Sequence, residues 1–598
     1  MTLTAVDWAV IVLYFVVSVA IALVYSRRAG GSSEEFFLSG RKLPWWLAGT
    51  SMVATTFAAD TPLVVTGLTV KYGIAGNWLW WSFVMSGMLT AVLYARLWRR
   101  AGIMTDAESA ELRYAGRPAA FLRGFRACYL ALAINSIIIG WVTAAMAKIL
   151  GLTMGLGKWQ ATVALFVLTG LYSTISGLWG VIVTDFFQFV FAMAGCIALA
   201  FFALGAVGGM SGLLTALHAR FPDDAPLAML PDLHSAWMPA LTFFVYIAVN
   251  WWASWYPGAE PGGGGYVAQR IMSTQNERHA LLAAVWFNIA HYALRPWPWI
   301  IVALVSMVLY PGLADPEAGY VRVMVDVLPP FWRGFLLAAF FAAYMSTIST
   351  QLNWGASYLV NDVYRRFYAP ARREAHYAGV GRLATLVMMV ISGVVTYYIG
   401  SVEGAWKFLL AIGAGTGLVY LLRWYWWRIN AWSEVSAMVT ALVVSLVAQL
   451  AFGLGGDDPR AFAILLLITT AITTVVWIAV TYATSPEPVA TLRAFYARVR
   501  PGGPGWRAVV PDAANEGGLA PGLVQWAIGC LVVYLGLFGI GHVVLGRPRL
   551  GALILAVAVA LTAYLVRSTR IQSTTMMAGG AGEGDGTAAP DSSRGRMV

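Results

Sequence analysis

The stretch from Pro330 to Arg366 carries the first chemical signal. Ser346, Ser349, Thr350, Asn353 and Ser357 recur every three or four residues, so on an α-helix they share about a third of the circumference. Thr347 sits beside that stripe. The rest of the stretch is Leu, Phe, Ala, Met and Val, long enough to cross a bilayer, and Arg365, Arg366, Arg372 and Arg373 follow it. Oxygens in such a setting face a partner helix or something wet. Ser and Thr are common packing groups between membrane helices, so neighbouring features must decide.

Three of those features concern ions. Ala54-Thr-Thr-Phe-Ala-Ala-Asp60-Thr61-Pro62 places a proline inside an apolar span. Pro62 has no N–H and disfavours helix at Thr61, which frees backbone carbonyls near 57 to 61. Freed carbonyls at bilayer depth are tolerated only where protein, water or an ion covers them. Asp60 adds a carboxylate, which costs about 2.5 to 3.5 kcal/mol inside a span and marks an ion or solute path. Asp185 is a second acid, near the start of another span, where a bond to the helix dipole is the plainer reading. His291 and Arg295 lie one turn apart ahead of Pro296 and Pro298. Arg295 has three readings: an ion pair with Asp60, a bond to a broken-helix carbonyl, or a solute contact.

These residues need a membrane scaffold, and the composition supplies one. The chain has 598 residues, 59% of them hydrophobic and only 11% charged, with a mean hydropathy of +0.70. Globular domains carry about a quarter charged residues, so this is a polytopic all-helical membrane protein. The net charge of +11 comes from arginines clustered at span ends, which argues for lipid headgroups and orientation rather than nucleic acid. Cys128, Cys196 and Cys530 have no paired spacing, and the six histidines form no metal-ligand pattern. No nucleophile, base or metal cluster suggests an enzyme.

Apolar spans begin near Val6 and continue to about residue 567, roughly fifteen in all. Threading them alternately gathers Arg27, Arg28, Arg41, Arg99, Arg100, Arg113, Arg270 and the 365 to 373 cluster on one side. The acidic loops with Asp223, Asp224, Asp315, Glu317, Asp457 and Asp458 fall on the other. The positive-inside rule then places the N-terminus outside and the C-terminus in the cytoplasm of a cytoplasmic (inner) membrane. Segment seven, Phe243 to Pro257, runs into a glycine-rich stretch and is the second interrupted span, five after the first. Interrupted spans at matching positions of two halves point to inverted repeats. The expected organisation is an extra helix over 1–30, repeats over 45–210 and 237–425, and further helices over 430–483. A cytoplasmic linker over 484–521 with a surface helix at 489–499, C-terminal helices over 522–568 and a disordered tail over 571–598 complete it.

At this point the chain resembles the sodium/solute symporter family, which includes sodium/glucose, proline and sialic acid transporters. The matching pieces are Phe37-Leu-Ser-Gly-Arg-Lys-Leu-Pro-Trp-Trp, Ser51-Met-Val-Ala-Thr-Thr-Phe, Tyr172 through Gln188, Gln269-Arg270, and the stretch through Asn361-Asp362. The resemblance implies a five-plus-five inverted-repeat core of the leucine-transporter type, with one extra N-terminal and about four extra C-terminal helices. It implies a sodium site at the carbonyls of Ala54, Phe57 and Ala343 and the hydroxyls of Ser346 and Thr347. A second sodium, present in some members, would fall on Asp185, Ser346, Ser349 and Thr350. The solute would lie between both broken helices and segments three, four and eight, near Asp60, Thr61, Trp80, Asn135, Asn250, Trp251, Trp252, His291 and Arg295. The chain departs from the family after the second break, where Asn250-Trp-Trp-Ala-Ser-Trp and a glycine run stand.

The expected activity is sodium-coupled import of a small polar organic solute, a sugar, amino acid or related metabolite, by alternating access. Its partners are the solute, sodium ions and the bilayer, with no cofactor, nucleic acid or obligate protein partner. Proton coupling through Asp60 or Asp185 is the nearest alternative, and a transporter-like sensor acting with a partner is the other.

Overall fold

The computed structural model describes residues 3–26, 38–173, 178–223, 225–235, 237–253, 260–456, 458–514 and 519–580. Arg27, Arg28, Phe37, Asp224, Asp457, the 174–177 part of the Tyr172 motif, residues 254–259 ahead of the glycine run and the tail from 581 onward lie outside them.

The first half contains α1 (Ala5–Ser26), α2 (Trp45–Thr56), α3 (Thr61–Tyr72), α4 (Ile74–Ala101), α5 (Gly116–Met154), α6 (Lys158–Ser173) and α7 (Leu178–Ala206). The second contains α8 (Ala240–Ala248), α9 (Gly265–Met272), α10 (Glu277–Leu309), α11 (Trp332–Tyr368), α12 (Glu374–Tyr398), α13 (Val402–Gly413) and α14 (Gly417–Tyr425). The helices α15 (Ala431–Phe452), α16 (Pro459–Ala483), α17 (Val489–Val499), α18 (Leu519–Val544) and α19 (Pro548–Gly580) follow. The architecture is all-helical, an inverted-repeat core with one helix ahead of it and more behind. Among the described residues, ten helices, or twelve counting each bent pair as one, are long and apolar enough to cross a membrane, against the roughly fifteen spans expected.

The first break forms where the sequence places it. Phe57 leaves the helix at φ −86° and ψ 71°. Pro62 falls in the first turn of α3, where its missing N–H is an orphan position anyway. The two halves meet at 61°. A second bend was not anticipated: segment eleven, read as one span over 404–423, is divided into α13 and α14 at 46°. Gly417 explains the close fit there, because a Cβ at this position would collide with the Trp252 carbonyl at the end of segment seven.

Helix α11 is the centre of the core. Residues from Leu336 to Leu352 are buried throughout, while α12, α15 and α19 each keep an outer row of exposed apolar residues such as Val390, Val443 and Leu553. Those rows suit a hydrocarbon environment. Four helices contain π turns, at Thr90–Tyr94, Tyr129–Ile134, Ile289–Leu294 and Tyr358–Tyr368.

Ion pairs bridge the repeats at both ends of the bundle. At one end Lys71 meets Glu403 at 2.7 Å and Lys148 meets Glu317 at 2.7 Å. At the arginine-rich end Arg123 joins Asp362 and Glu111, each at 2.7 Å, and Arg366 holds Glu111 at 2.8 Å. The stretch expected as a linker is packed against this end. Its helix α17 buries Leu492, Phe495, Tyr496 and Val499, and the Arg113 guanidinium lies 5.3 Å from the Phe495 ring and 5.0 Å from the Trp506 ring. The last helix runs to Gly580, ten residues into the expected tail.

Candidate functional site

The break between α2 and α3 and the face of α11 opposite it form the first part of the site. Around the break, Phe57 N–H donates to the Val53 and Ala54 carbonyls, Thr61 N–H to Ala58 and Val64 N–H to Asp60. Across from it Thr347 donates its hydroxyl to the Thr55 carbonyl at 2.9 Å. Ala54, Phe57 and Ala343 are each 3% exposed, and Ser346 and Thr347 are buried with them. Carbonyls and hydroxyls of this kind are hard oxygen ligands suited to a small cation.

Ser346 turns to Asp185 instead, donating to Oδ1 at 2.5 Å, while Ser51 donates to Oδ2 at 2.6 Å. Arg270 stands behind the pair with Nη2 3.9 Å from Asp185 Oδ2 and 3.2 Å from Thr350 Oγ1. Asp185 is therefore held by two hydroxyls and faced by a guanidinium, in place of the helix-dipole bond. Ser349 and Ser357 bond back to the carbonyls of Ser346 and Trp354 in their own helix, as packing groups do. Ser51 and Arg270 were missed as site residues, although both lie in the quoted motifs. A fully buried carboxylate asks for a cation nearby, and that was the available signal.

A cavity opens beside the break, lined by Asp60, Thr61, Trp80, His291 and Arg295 from the expected set. Thr56, Ala58, Tyr266, Phe287, Tyr292 and Trp406 line it as well and were not expected. Trp406 belongs to α13, so segment eleven closes this space. Segment four does not: its Asn135 donates to the Gln351 carbonyl at 2.8 Å. Asn250 donates to the Leu79 carbonyl and to Ser82 Oγ, and Trp251 packs on Trp252 and Trp526. None of these lines the cavity.

Arg295 makes the bond of its second reading, to a broken-helix carbonyl, and also lines the cavity. Its Nη1 donates to the Val53 carbonyl at 3.3 Å and to Thr56 Oγ1 at 3.2 Å, and its Nε to the His291 carbonyl at 3.2 Å. The guanidinium also lies 5.3 Å from the Trp299 ring and 5.8 Å from the Phe57 ring. Thr56 donates its proton to a carbonyl of its own helix, Val53 at 2.8 Å or Met52 at 3.2 Å. His291 Nδ1, 2.9 Å from Thr56 Oγ1, must then carry the ring proton, which leaves Nε2 to accept from Arg295 Nη2 at 3.3 Å. The π turn at Ile289–Leu294 aims these two side chains. Arg295 N–H reaches back to the Ala290 carbonyl at 3.2 Å, five residues away, just before Pro296 and Pro298 withhold theirs.

Comparison with known proteins agrees with this geometry. The model of the sodium:solute symporter family matches residues 36–442. Sodium/glucose cotransporter 4 of Danio rerio is 25% identical over 548 residues, covering 81% of this chain and 80% of its own. A sodium/glucose cotransporter of Vibrio parahaemolyticus is 24% identical over 472 residues, covering 74% and 85%. Among solved structures, a substrate-bound outward-open sodium-coupled sialic acid symporter superposes with a TM-score of 0.65 at 19% identity, over 81% of this chain and 99% of that one. With the broken helix, the hydroxyl face and the matched length together, the chain belongs to the sodium:solute symporter family.

Proposed function

We propose that this protein imports a small polar organic solute across the cytoplasmic membrane, driven by sodium, with the ion held where α2 breaks against α11. The observation that carries the site assignment is the meeting of Thr347 with the last turn of α2, next to the carbonyls of Ala54 and Phe57. Ala343 and Ser346 complete the proposed cage, and Asp185 with Ser346, Ser349 and Thr350 is the proposed place of a second sodium. Asp60, Thr61, Trp80, His291 and Arg295 surround the proposed solute position.

Sodium would brace the two repeats in one arrangement, and its loss on the other side would release both ligands. One charge crossing 100 mV supplies about 2.3 kcal/mol before any concentration gradient is counted. The arginine-rich end supports a cytoplasmic placement of that face, with the N-terminus outside.

The test is uptake of labelled solutes into proteoliposomes under an imposed sodium gradient, a potassium gradient or a pH gradient. Accumulation only with sodium is expected. Equal accumulation driven by pH alone would overturn sodium coupling and place the driving ion on Asp60 or Asp185.

A further inference from the structure

Asp60 brings a buried carboxylate to the cavity. Asp60 is 3% exposed, and its Oδ1 is buried with no hydrogen-bond partner. Its Oδ2 accepts from Trp406 Nε1 at 3.1 Å. Asp60 also occupies the N-cap position of α3, where an acid usually bonds to the helix N–H groups, yet its side chain makes no such bond. It is aimed into the cavity instead.

Three other polar side chains around this space are already engaged. Trp80 Nε1 donates to Asn77 Oδ1 at 2.9 Å, Thr61 Oγ1 to the Thr56 carbonyl at 3.3 Å, and both nitrogens of His291 are used as described above. Beside Arg295 and the Tyr266 hydroxyl, most of the remaining lining is ring surface: Trp80 stacked on Tyr292 with centroids 5.7 Å apart, Phe287 beside His291, and Trp406. A sugar would bring many hydroxyls to a wall with few polar partners for them, at a cost for each one left unmet. An anion would meet the Asp60 carboxylate, while the Arg295 guanidinium in the same lining is already bonded to the Val53 carbonyl, Thr56 and His291. A bare sodium ion wants several oxygens, and aromatic rings supply none.

We infer that the solute carries a protonated amine with at least one N–H, which donates to Asp60 Oδ1 while its carbon-bound flank rests against the Trp80 and Trp406 rings. Aromatic surfaces stabilise an organic cation in addition to the carboxylate. A quaternary ammonium meets the rings but leaves Oδ1 unsatisfied, so the N–H distinguishes the class. This inference rests on the symporter reading and narrows the solute within it.

The full-length protein in detergent is melted in sodium and in potassium buffer with four probe sets. These are the twenty amino acids with ethanolamine, neutral monosaccharides, lactate with pyruvate, and choline with glycine betaine. Stabilisation by members of the first set, in sodium, is the expected result. Asp60→Asn, which keeps an acceptor for Trp406, should bind the same amine roughly tenfold to a hundredfold more weakly while its stabilisation by sodium persists. Stabilisation by monosaccharides or quaternary amines and none by the first set overturns the inference, whether or not any variant folds. Loss of sodium stabilisation in Asp60→Asn also overturns it, by assigning Asp60 to the ion. Absence of any sodium effect on the unaltered protein counts instead against the symporter reading.

Discussion

Thr347 and the Thr55 carbonyl stand 2.9 Å apart across the junction of α11 and α2, with the hydroxyl donating. Its lone pairs remain on the side of the break, where Phe57 has left the helix. A cation there would use the Thr347 oxygen without disturbing the bond to Thr55. Thr347→Val keeps the shape, removes the oxygen and leaves the Thr55 carbonyl without this donor. We predict that the half-saturating sodium concentration for uptake rises roughly tenfold or more, while Thr347→Ser stays near the unaltered value. Sodium titrations of uptake measure this directly. An unchanged sodium dependence in Thr347→Val would remove the hydroxyl from the ion site.

Asp185 and Arg270 make a separate prediction, because each is fully buried and each is the nearest opposite charge to the other. Removing one member of such a pair leaves an uncompensated charge, at a cost of about 3 to 5 kcal/mol. Arg270→Gln alone should therefore lower the melting midpoint sharply. The double variant with Asp185→Asn should recover much of it, since both charges then disappear together. Sodium cooperativity separates structure from transport. With a second ion at Asp185, the Hill slope of uptake falls from near two toward one in Asp185→Asn. A slope that does not change restricts Asp185 to its structural bond with Arg270.

How far these features could be read from the sequence depended on whether backbone or side-chain contacts set them. The first break follows from one proline in an apolar span, and Pro62 announces it without any partner. The bend at residues 414–416 is followed by Gly417 lying against the Trp252 carbonyl, a close approach to a residue far away in sequence. Asp60 drew attention because a carboxylate inside a span is conspicuous, and Thr347 was placed at the ion site by the family resemblance. Trp406 and Tyr292 were missed, since aromatic residues occur throughout this chain and nothing local sets those two apart. Asn135 and Asn250 were placed near the solute by the family resemblance, and each satisfies a carbonyl of a neighbouring helix. Within a membrane protein, amide side chains are as useful for joining helices as for holding a solute.

The arginine-rich end supplies the last prediction. Arg123 on α5 reaches Asp362 on α11 and Glu111 between the first-repeat helices, and Arg366 on α11 holds Glu111 from the other side. Thr105 donates to Asp362 at 2.9 Å. These contacts tie the first repeat to the second at one face, so they must part if the cavity is to open there. Arg123→Gln removes two of them and should favour opening toward that face. In a background without Cys128, Cys196 and Cys530, a cysteine placed at Ala58 would then react faster with a thiol reagent applied from the arginine-rich side. The Glu111 contribution has a definite pH dependence. Burial pushes its carboxyl up, but Arg366 and Arg123 outweigh burial and hold it below the ordinary value of 4.5. A depressed carboxyl contributes stability above its unfolded pKa and loses it as pH falls through the folded one. The ratio of reactivity between Glu111→Gln and the unaltered protein, in which the falling thiolate fraction cancels, should stay constant from about pH 7.5 to 5.5 and approach one only under more acidic conditions. A ratio that reaches one within that window, or an Arg123→Gln variant no more reactive than its parent, would show that these ion pairs do not hold the face closed.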